Sequence, residues 1–259
     1  MSSVTIQNEI EYPESDGKPM GETDLHRDWM VRILEIFRQR YAGQRVYIAS
    51  DLLVYYVEGT PSKFVVPDCF VVLDCDPQRR RTFQTWKELR VPDVVFEVTS
   101  RGTSSVDIVD KPVIYERMGV QEYFLYDPTA DYLTPALQGY RLIDGDLREI
   151  PNTNGRLRCN TLGVELSLRE YDLVSVDYET GIEQLTKADS EELAREQAEY
   201  ARTQERQEKE QERREKEQER QEKVQERQEK VQEQAARIAA EKRIRELEEE
   251  LRRLRNGNS

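Results

Sequence analysis

Residues 94–98 read Val-Val-Phe-Glu-Val, a run of strand formers with one carboxylate, Glu97, set among them. A continuous apolar run predicts a strand covered on both faces, since a half-solvated strand would alternate. A turn-rich connection, Ser-Arg-Gly-Thr-Ser-Ser, leads into a different period. Ile108, Val109, Val113 and Ile114 recur at helical spacing as far as Met118, and Gly119 stands where a helix would stop. Residues 123–126, Tyr-Phe-Leu-Tyr, give a second buried strand closed by Asp127 and Pro128. Two apolar strands joined through one helix within this length predict a right-handed crossover and a parallel pair, hence an α/β core.

The same reading extends in both directions. Trp29, Met30, Ile33, Leu34, Ile36, Phe37 and Tyr41 mark a helix over 25–41, capped by Thr23 and Asp24 and ended by Gly43. Two strands, 46–57 and 64–73, follow on either side of a Glu-Gly-Thr-Pro-Ser turn and predict an antiparallel hairpin, bent at Ser50 and Asp51. Pro67 breaks the second of these and exposes the next residue, Asp68, a carboxylate where the pattern asks for something apolar. Residues 74–90 turn polar and basic, a loop or short helix. Asp144-Gly145 predicts another hairpin, and 157–168 and 171–176 add short strands that extend the sheet or form a small layer of their own. Residues 1–23, with Pro13, Gly17, Pro19 and Gly21, predict an extended arm before a domain over 24–186.

Beyond residue 187 the pattern changes kind. A seven-residue repeat places glutamate four residues before lysine at Glu205 and Lys209, Glu212 and Lys216, Glu219 and Lys223, and Glu226 and Lys230. Each pair supports a lone helix by about 0.2–0.5 kcal/mol. Ala240, Ile244, Leu247, Leu251 and Leu254 then space as a coiled-coil seam, out of register with Val224, Val231 and Ile238. The expectation is a helix or coiled coil over 187–255 that joins copies of the chain into a homo-oligomer, with 256–259 as a disordered tail.

The net charge of −13 is uneven. Residues 1–189 hold 32 acidic and 21 basic side chains, a net of −11, against 20 and 18 in the remainder. An acidic core domain does not bind nucleic acid through its overall field. Arg79, Arg80, Arg81, Lys87 and Arg90, interleaved with Phe83 and Trp86, form a local basic run that reads first as a solvated loop face. Cys69, Cys75 and Cys159 match neither a disulfide framework nor zinc spacing. The absence of a membrane-length apolar run and of a leader predicts a cytoplasmic protein.

Asp68, Glu97 and a lysine are the parts that hold a divalent cation against a phosphodiester: hard oxygens suit Mg²⁺ or Mn²⁺, and an ammonium stabilises developing charge or orients the nucleophile. The plainer reading has Asp68 closing a turn and Glu97 pairing with an arginine. His26, the one histidine, reads first as structural or exposed and otherwise as facing a site against which its helix packs, and mid-helix Glu35 reads the same way. Asp93 lies on the face of Glu97 but about 13 Å along the strand, too far to share an ion.

Pro67-Asp68 followed by Glu97-Val98-Thr99 resembles the bipartite signature of the PD-(D/E)XK nuclease superfamily. Val-Val-Pro-Asp-Cys-Phe-Val-Val and residues 91–128 more closely resemble the Uma-two family of restriction-endonuclease-like proteins, over about 12–185. The resemblance implies a restriction-endonuclease-like α/β core, a central mixed β-sheet flanked by helices, with metal-dependent cleavage of DNA. Asp68, Glu97 and Val98 are then the metal-ligating positions. The superfamily lysine two residues after the glutamate is Thr99 here; Lys111, on the following helix, is the family match, tolerated beside Pro112 in a first turn. Asp107 matches a further acidic position, holding the lysine or the loop. The alternative is a weak or inactive descendant of the fold that binds nucleic acid or acts as a scaffold through its coiled coil.

Overall fold

The structure, a computed structural model, describes residues 10–15, 23–100 and 106–256, the side chains of 250–256 excepted. Most of the arm (1–9 and 16–22), most of the loop after Ser100, and 257–259 of the expected tail lie outside the described residues. The chain divides into two units, residues 1–191 and 192–259.

The first unit opens with α1 (Asp24–Arg40). The Thr23 hydroxyl accepts the His26 N–H at 3.2 Å, satisfying one of the free donors at the helix start. Strands β1 (Val46–Ala49), β2 (Val54–Tyr55), β3 (Phe64–Val65), β4 (Cys69–Leu73) and β5 (Phe83–Gln84) lead to the single turn α2 (Thr85–Glu88) and to β6 (Val94–Val98). A π-turn (Val106–Asp110) enters α3 (Lys111–Met118), followed by β7 (Glu122–Tyr126), β8 (Leu137–Ile143) and β9 (Asp146–Glu149). Three more strands, β10 (Arg156–Cys159), β11 (Val164–Arg169) and β12 (Asp172–Asp177), precede the long α4 (Lys187–Asn256).

The central sheet runs β1-β4-β6-β7-β8-β9 and is mixed: only the β6–β7 pair is parallel, joined through α3 as the crossover predicts. Every residue of β6 and β7 is buried, as their unbroken apolar runs imply. Successive side chains of β6 enter different cores. Phe96 stacks between Phe37 of α1 and Phe124, with ring centroids 5.0 and 5.4 Å away. Val95 faces the other core, with Tyr115 of α3, Tyr123, Phe70 and Phe83. Strands β10–β12 form a separate sheet whose Leu157, Val164 and Leu166 join the α1 core. Asp144 and Gly145, with φ of 54° and 92°, make the predicted turn between β8 and β9.

Three expectations need correction. The segments 46–57 and 64–73 are not continuous strands, because Asp51 takes a left-handed φ of 49° and Pro67 interrupts the ladder. The chain therefore leaves the central sheet, and β2, β3 and β5 make a small sheet of their own. Asp68 is not exposed by that break but buried, the Asp51 N–H donating to the Pro67 carbonyl at 3.1 Å beside it. Finally, Ile108, Val109 and Val113 are exposed; α3 buries Tyr115 instead, because the π-turn rotates the helix relative to its periodicity.

The basic run is only partly a solvated face. Arg80 pairs with Glu88 at 2.8 Å and stacks over the Tyr47 ring at 4.2 Å, whereas Arg79 and Arg81 are exposed. In α4 the repeat pairs form, Glu205 with Lys209 at 2.5 Å among them. Ile244 and Leu247 stand exposed, and the side chains of Leu251 and Leu254 fall outside the described residues. Among the described residues no helix is long and apolar enough to cross a membrane.

Candidate active site

Antiparallel pairing places Cys69 of β4 opposite Phe96 of β6, so the residue before one and the residue after the other meet at the same end of the sheet. Those residues are Asp68 and Glu97. The Asp68 backbone N–H donates to Glu97 Oε2 at 3.2 Å, and the Val98 N–H donates to Asp68 Oδ2 at 2.7 Å. Lys111 reaches them from α3: its Nζ lies 2.7 Å from Glu97 Oε2 and 2.9 Å from Asp107 Oδ1. Asp107 sits one helical turn before Lys111 and is buried, its carbonyl accepting the Tyr123 hydroxyl at 2.7 Å. Two strands and a helix thus bring Asp68, Glu97 and Lys111 together, with Val98 contributing backbone and Asp107 holding the lysine. Glu97 pairs with this lysine rather than with an arginine.

Two further residues belong to the cluster. The Tyr115 hydroxyl, one turn beyond Lys111, donates to Glu97 Oε1 at 2.5 Å. His26, buried in the first turn of α1, lies with Nε2 3.2 Å from Asp68 Oδ2. His26 is not exposed; it faces the candidate site as a direct partner of Asp68, one of the two placements its position in α1 allowed. The local sequence does not name that partner, because the contact depends on how α1 crosses the sheet. Tyr115 was legible only as part of the helix. Glu35 is exposed and distant in role, and Asp93 accepts the Leu73 N–H at 2.7 Å as a strand-end brace.

The buried acids differ in how many donors they accept from. Glu122, also buried, accepts from Arg141, Cys159 Sγ and the Asn160 and Thr161 N–H groups. Asp127 accepts from the N–H groups of Thr129, Tyr132 and Leu133 and from the Thr129 hydroxyl, which hold it below the usual carboxylate range against the upward push of burial. Both are saturated. Asp68, by contrast, has no described partner for Oδ1.

Among the described residues, acids predominate at the cluster: Asp68, Glu97 and Asp107 lie about the Lys111 ammonium. Burial raises the Glu97 carboxyl well above its ordinary value; Lys111 opposes this, and the Asp68 and Asp107 charges add to it. Asp68 is pushed up by burial too, but His26, Lys111 and the Val98 N–H bring it below its ordinary value. Lys111 is raised despite burial by the Glu97, Asp68 and Asp107 charges and stays protonated. Among the described residues no group of three or more His, Cys, Asp or Glu side chains is disposed as a ready metal centre. The donor chemistry nevertheless fits a hard divalent cation: carboxylate oxygens, one of them open, in a buried site where acids predominate.

Such a cluster at the end of the central strands defines a mixed α/β domain built around paired acids and a lysine. The chain belongs to the Uma2 family, described as "Putative restriction endonuclease", which it matches over residues 7–169. Among solved structures it is similar to one titled a putative nuclease belonging to DUF820, from Anabaena variabilis. That similarity has a TM-score of 0.42 and 14% identity, covering 59% of this chain and 86% of the other. No curated protein matches the sequence.

Proposed function

We propose that the chain is a metal-dependent DNA endonuclease that hydrolyses phosphodiester bonds at the Asp68–Glu97–Lys111 cluster. The observation that carries this reading is that Glu97 Oε2 takes both the Lys111 ammonium at 2.7 Å and the Asp68 backbone N–H at 3.2 Å, which sets the buried Asp68 carboxylate beside that ion pair. Family membership supports the reaction class. Asp68 and Glu97, with the backbone at Val98, would hold Mg²⁺ or Mn²⁺. A cation bound there polarises the phosphate and lowers the pKa of a water molecule.

The remaining work falls to the chain's own groups. Asp68 is oriented by the Val98 N–H and His26, which fix Oδ2 and leave Oδ1 toward the ligand. Tyr115 holds the other oxygen of Glu97, so its carboxylate cannot rotate. The Lys111 ammonium, kept protonated by the surrounding acids, stabilises charge developing on the phosphoryl oxygens or orients the attacking water. Asp107 restrains it when Glu97 is engaged elsewhere. Pairing of two chains through the 240–254 seam would supply two such sites, one for each strand of a duplex.

A plasmid-nicking assay with Mg²⁺ or Mn²⁺ tests the reading, run on the full chain and on Asp68→Ala and Glu97→Ala. Metal-dependent nicking lost in both variants supports it. Nicking that persists in both removes it, and DNA that is bound but never cut supports the binding or scaffold alternative.

A further inference from the structure

Strand β1 forms the edge of the central sheet, paired with β4 on one side only. Beside it lies a cleft of about 750 Å³, lined by β1, by the end of α1 with the loop after it, and by the β4–β5 loop. Its lining includes four arginines, Arg38, Arg45, Arg79 and Arg80, and no aspartate or glutamate. That is a sharp local reversal in a region where acids outnumber bases by 32 to 21.

The four are not equivalent. Arg80 is committed to Glu88 and to the Asp76 and Gln78 carbonyls. Arg38 donates to the Ile48 carbonyl at 3.2 Å, which leaves its charge uncompensated. Arg45 and Arg79 are exposed and make no ion pair among the described residues. Exposed guanidinium forks without carboxylate partners suit an external anion, and phosphate accepts them two bonds at a time.

One end of the cleft neighbours the cluster through two short steps of chain. Ser50 lines it, and the next residue, Asp51, bonds the carbonyl of Pro67, the residue before Asp68. At the other end Val46 pairs with Leu73, leaving the arginines of both loops beyond that end of the strand. From Val46 to Ala49 the strand advances about 10 Å. That distance corresponds to about three base-pair steps of duplex at 3.4 Å each.

We propose that this arginine-lined cleft binds the phosphate backbone of duplex DNA a few base pairs from the point of cleavage, with Arg45 and Arg79 as its phosphate contacts. This rests on the nuclease reading for the identity of the ligand, and it adds the path by which an acidic domain holds a polyanion. The cleft supplies the affinity and register that the carboxylates, which would repel DNA alone, do not.

The test measures binding separately from cutting. Anisotropy of a short fluorescein-labelled duplex is followed across a potassium chloride series in EDTA, using the full chain, an Arg45→Glu/Arg79→Glu variant and a Lys63→Glu control. Lys63 is an exposed cation on the β2–β3 turn. Tryptophan emission checks that each variant is folded. Losing two phosphate contacts lowers the slope of log K against log salt by about 2, with Lys63→Glu keeping the wild-type slope. An unchanged slope in the double variant, an equal fall in Lys63→Glu, or no binding by the wild type overturns the proposal. Nicking assays run in parallel keep the two readings apart. A wild type that binds through the cleft but never cuts refutes the nuclease while supporting the cleft, and cutting with a slope indifferent to Arg45 and Arg79 does the reverse.

Discussion

Replacing Lys111 with methionine keeps most of the side chain's volume and removes its charge from a pocket that holds three acids. Lys111 lies 2.7 Å from Glu97 and 2.9 Å from Asp107, and both carboxylates are fully buried. At an effective dielectric constant of 20, each contact corresponds to roughly 6 kcal/mol of attraction. Desolvation offsets much of that, and removal of one partner from a buried ion pair costs about 3–5 kcal/mol. For a unit of this size the loss lowers the melting temperature by roughly 6–20 °C. Trp29 and Trp86 are the two tryptophans of the chain and both lie in the first unit. Thermal unfolding in EDTA, followed by tryptophan emission, therefore reports this domain without interference from α4. Adding Glu97→Gln to Lys111→Met should restore part of the loss, because one of the two carboxylates left without the ammonium is then gone. A Lys111→Met domain that melts within about 2 °C of wild type, or a double variant less stable than the single, would refute the charge accounting on which the site rests.

Other consequences follow from groups away from the cluster. Asp127 is held below its ordinary value near 3.8, so its stabilising contribution is complete above that pH and is lost as the pH falls through the lower folded-state value. Asp127→Asn should flatten the acid limb of a stability–pH curve, and an unaltered limb would contradict that. A Cβ at Gly139 would come within 2.7 Å of the buried Phe124 ring, so Gly139→Ala should cost about 1–3 kcal/mol in urea unfolding. Wild-type stability there would mean that the ring moves freely. If the α4 seam joins copies, Ile244→Lys with Leu247→Lys should halve the mass measured by sedimentation equilibrium; an unchanged mass assigns assembly elsewhere or to no part of the chain.

Strong periodic signals survived the passage from sequence to structure. The β6 and β7 runs, the capped α1, the Asp144–Gly145 turn and the charge-paired helix are all where local chemistry put them, because each is decided within a few neighbouring residues. What failed was decided at a distance. The bend expected at Ser50 and Asp51 is present, but the left-handed Asp51 turns the chain out of the central sheet rather than merely bending one strand. The apolar residues of 108–113 fit a helix but not its buried face, because a π-turn reset the phase. Asp68, Glu97 and Lys111 were legible through a family resemblance, and the spacing of the residues alone left open a turn-closing aspartate. His26 was legible only as a residue able to face a site beside α1, because its partner lies 42 positions away. The arginine cleft was half visible: the run at 79–81 was apparent, but Arg38 and Arg45 join Arg79 only after folding.

The location of the lysine has a mechanical corollary. Both acids are anchored in or beside hydrogen-bonded strands, whereas Lys111 belongs to α3, which begins at a π-turn and turns Ile108, Val109 and Val113 outward. A lysine two places after the glutamate would share the rigidity of the sheet. Here the distance between ammonium and carboxylates depends instead on how one eight-residue helix is seated, a seat fixed by Tyr115 on Glu97 and by Glu116 on the Leu147 N–H.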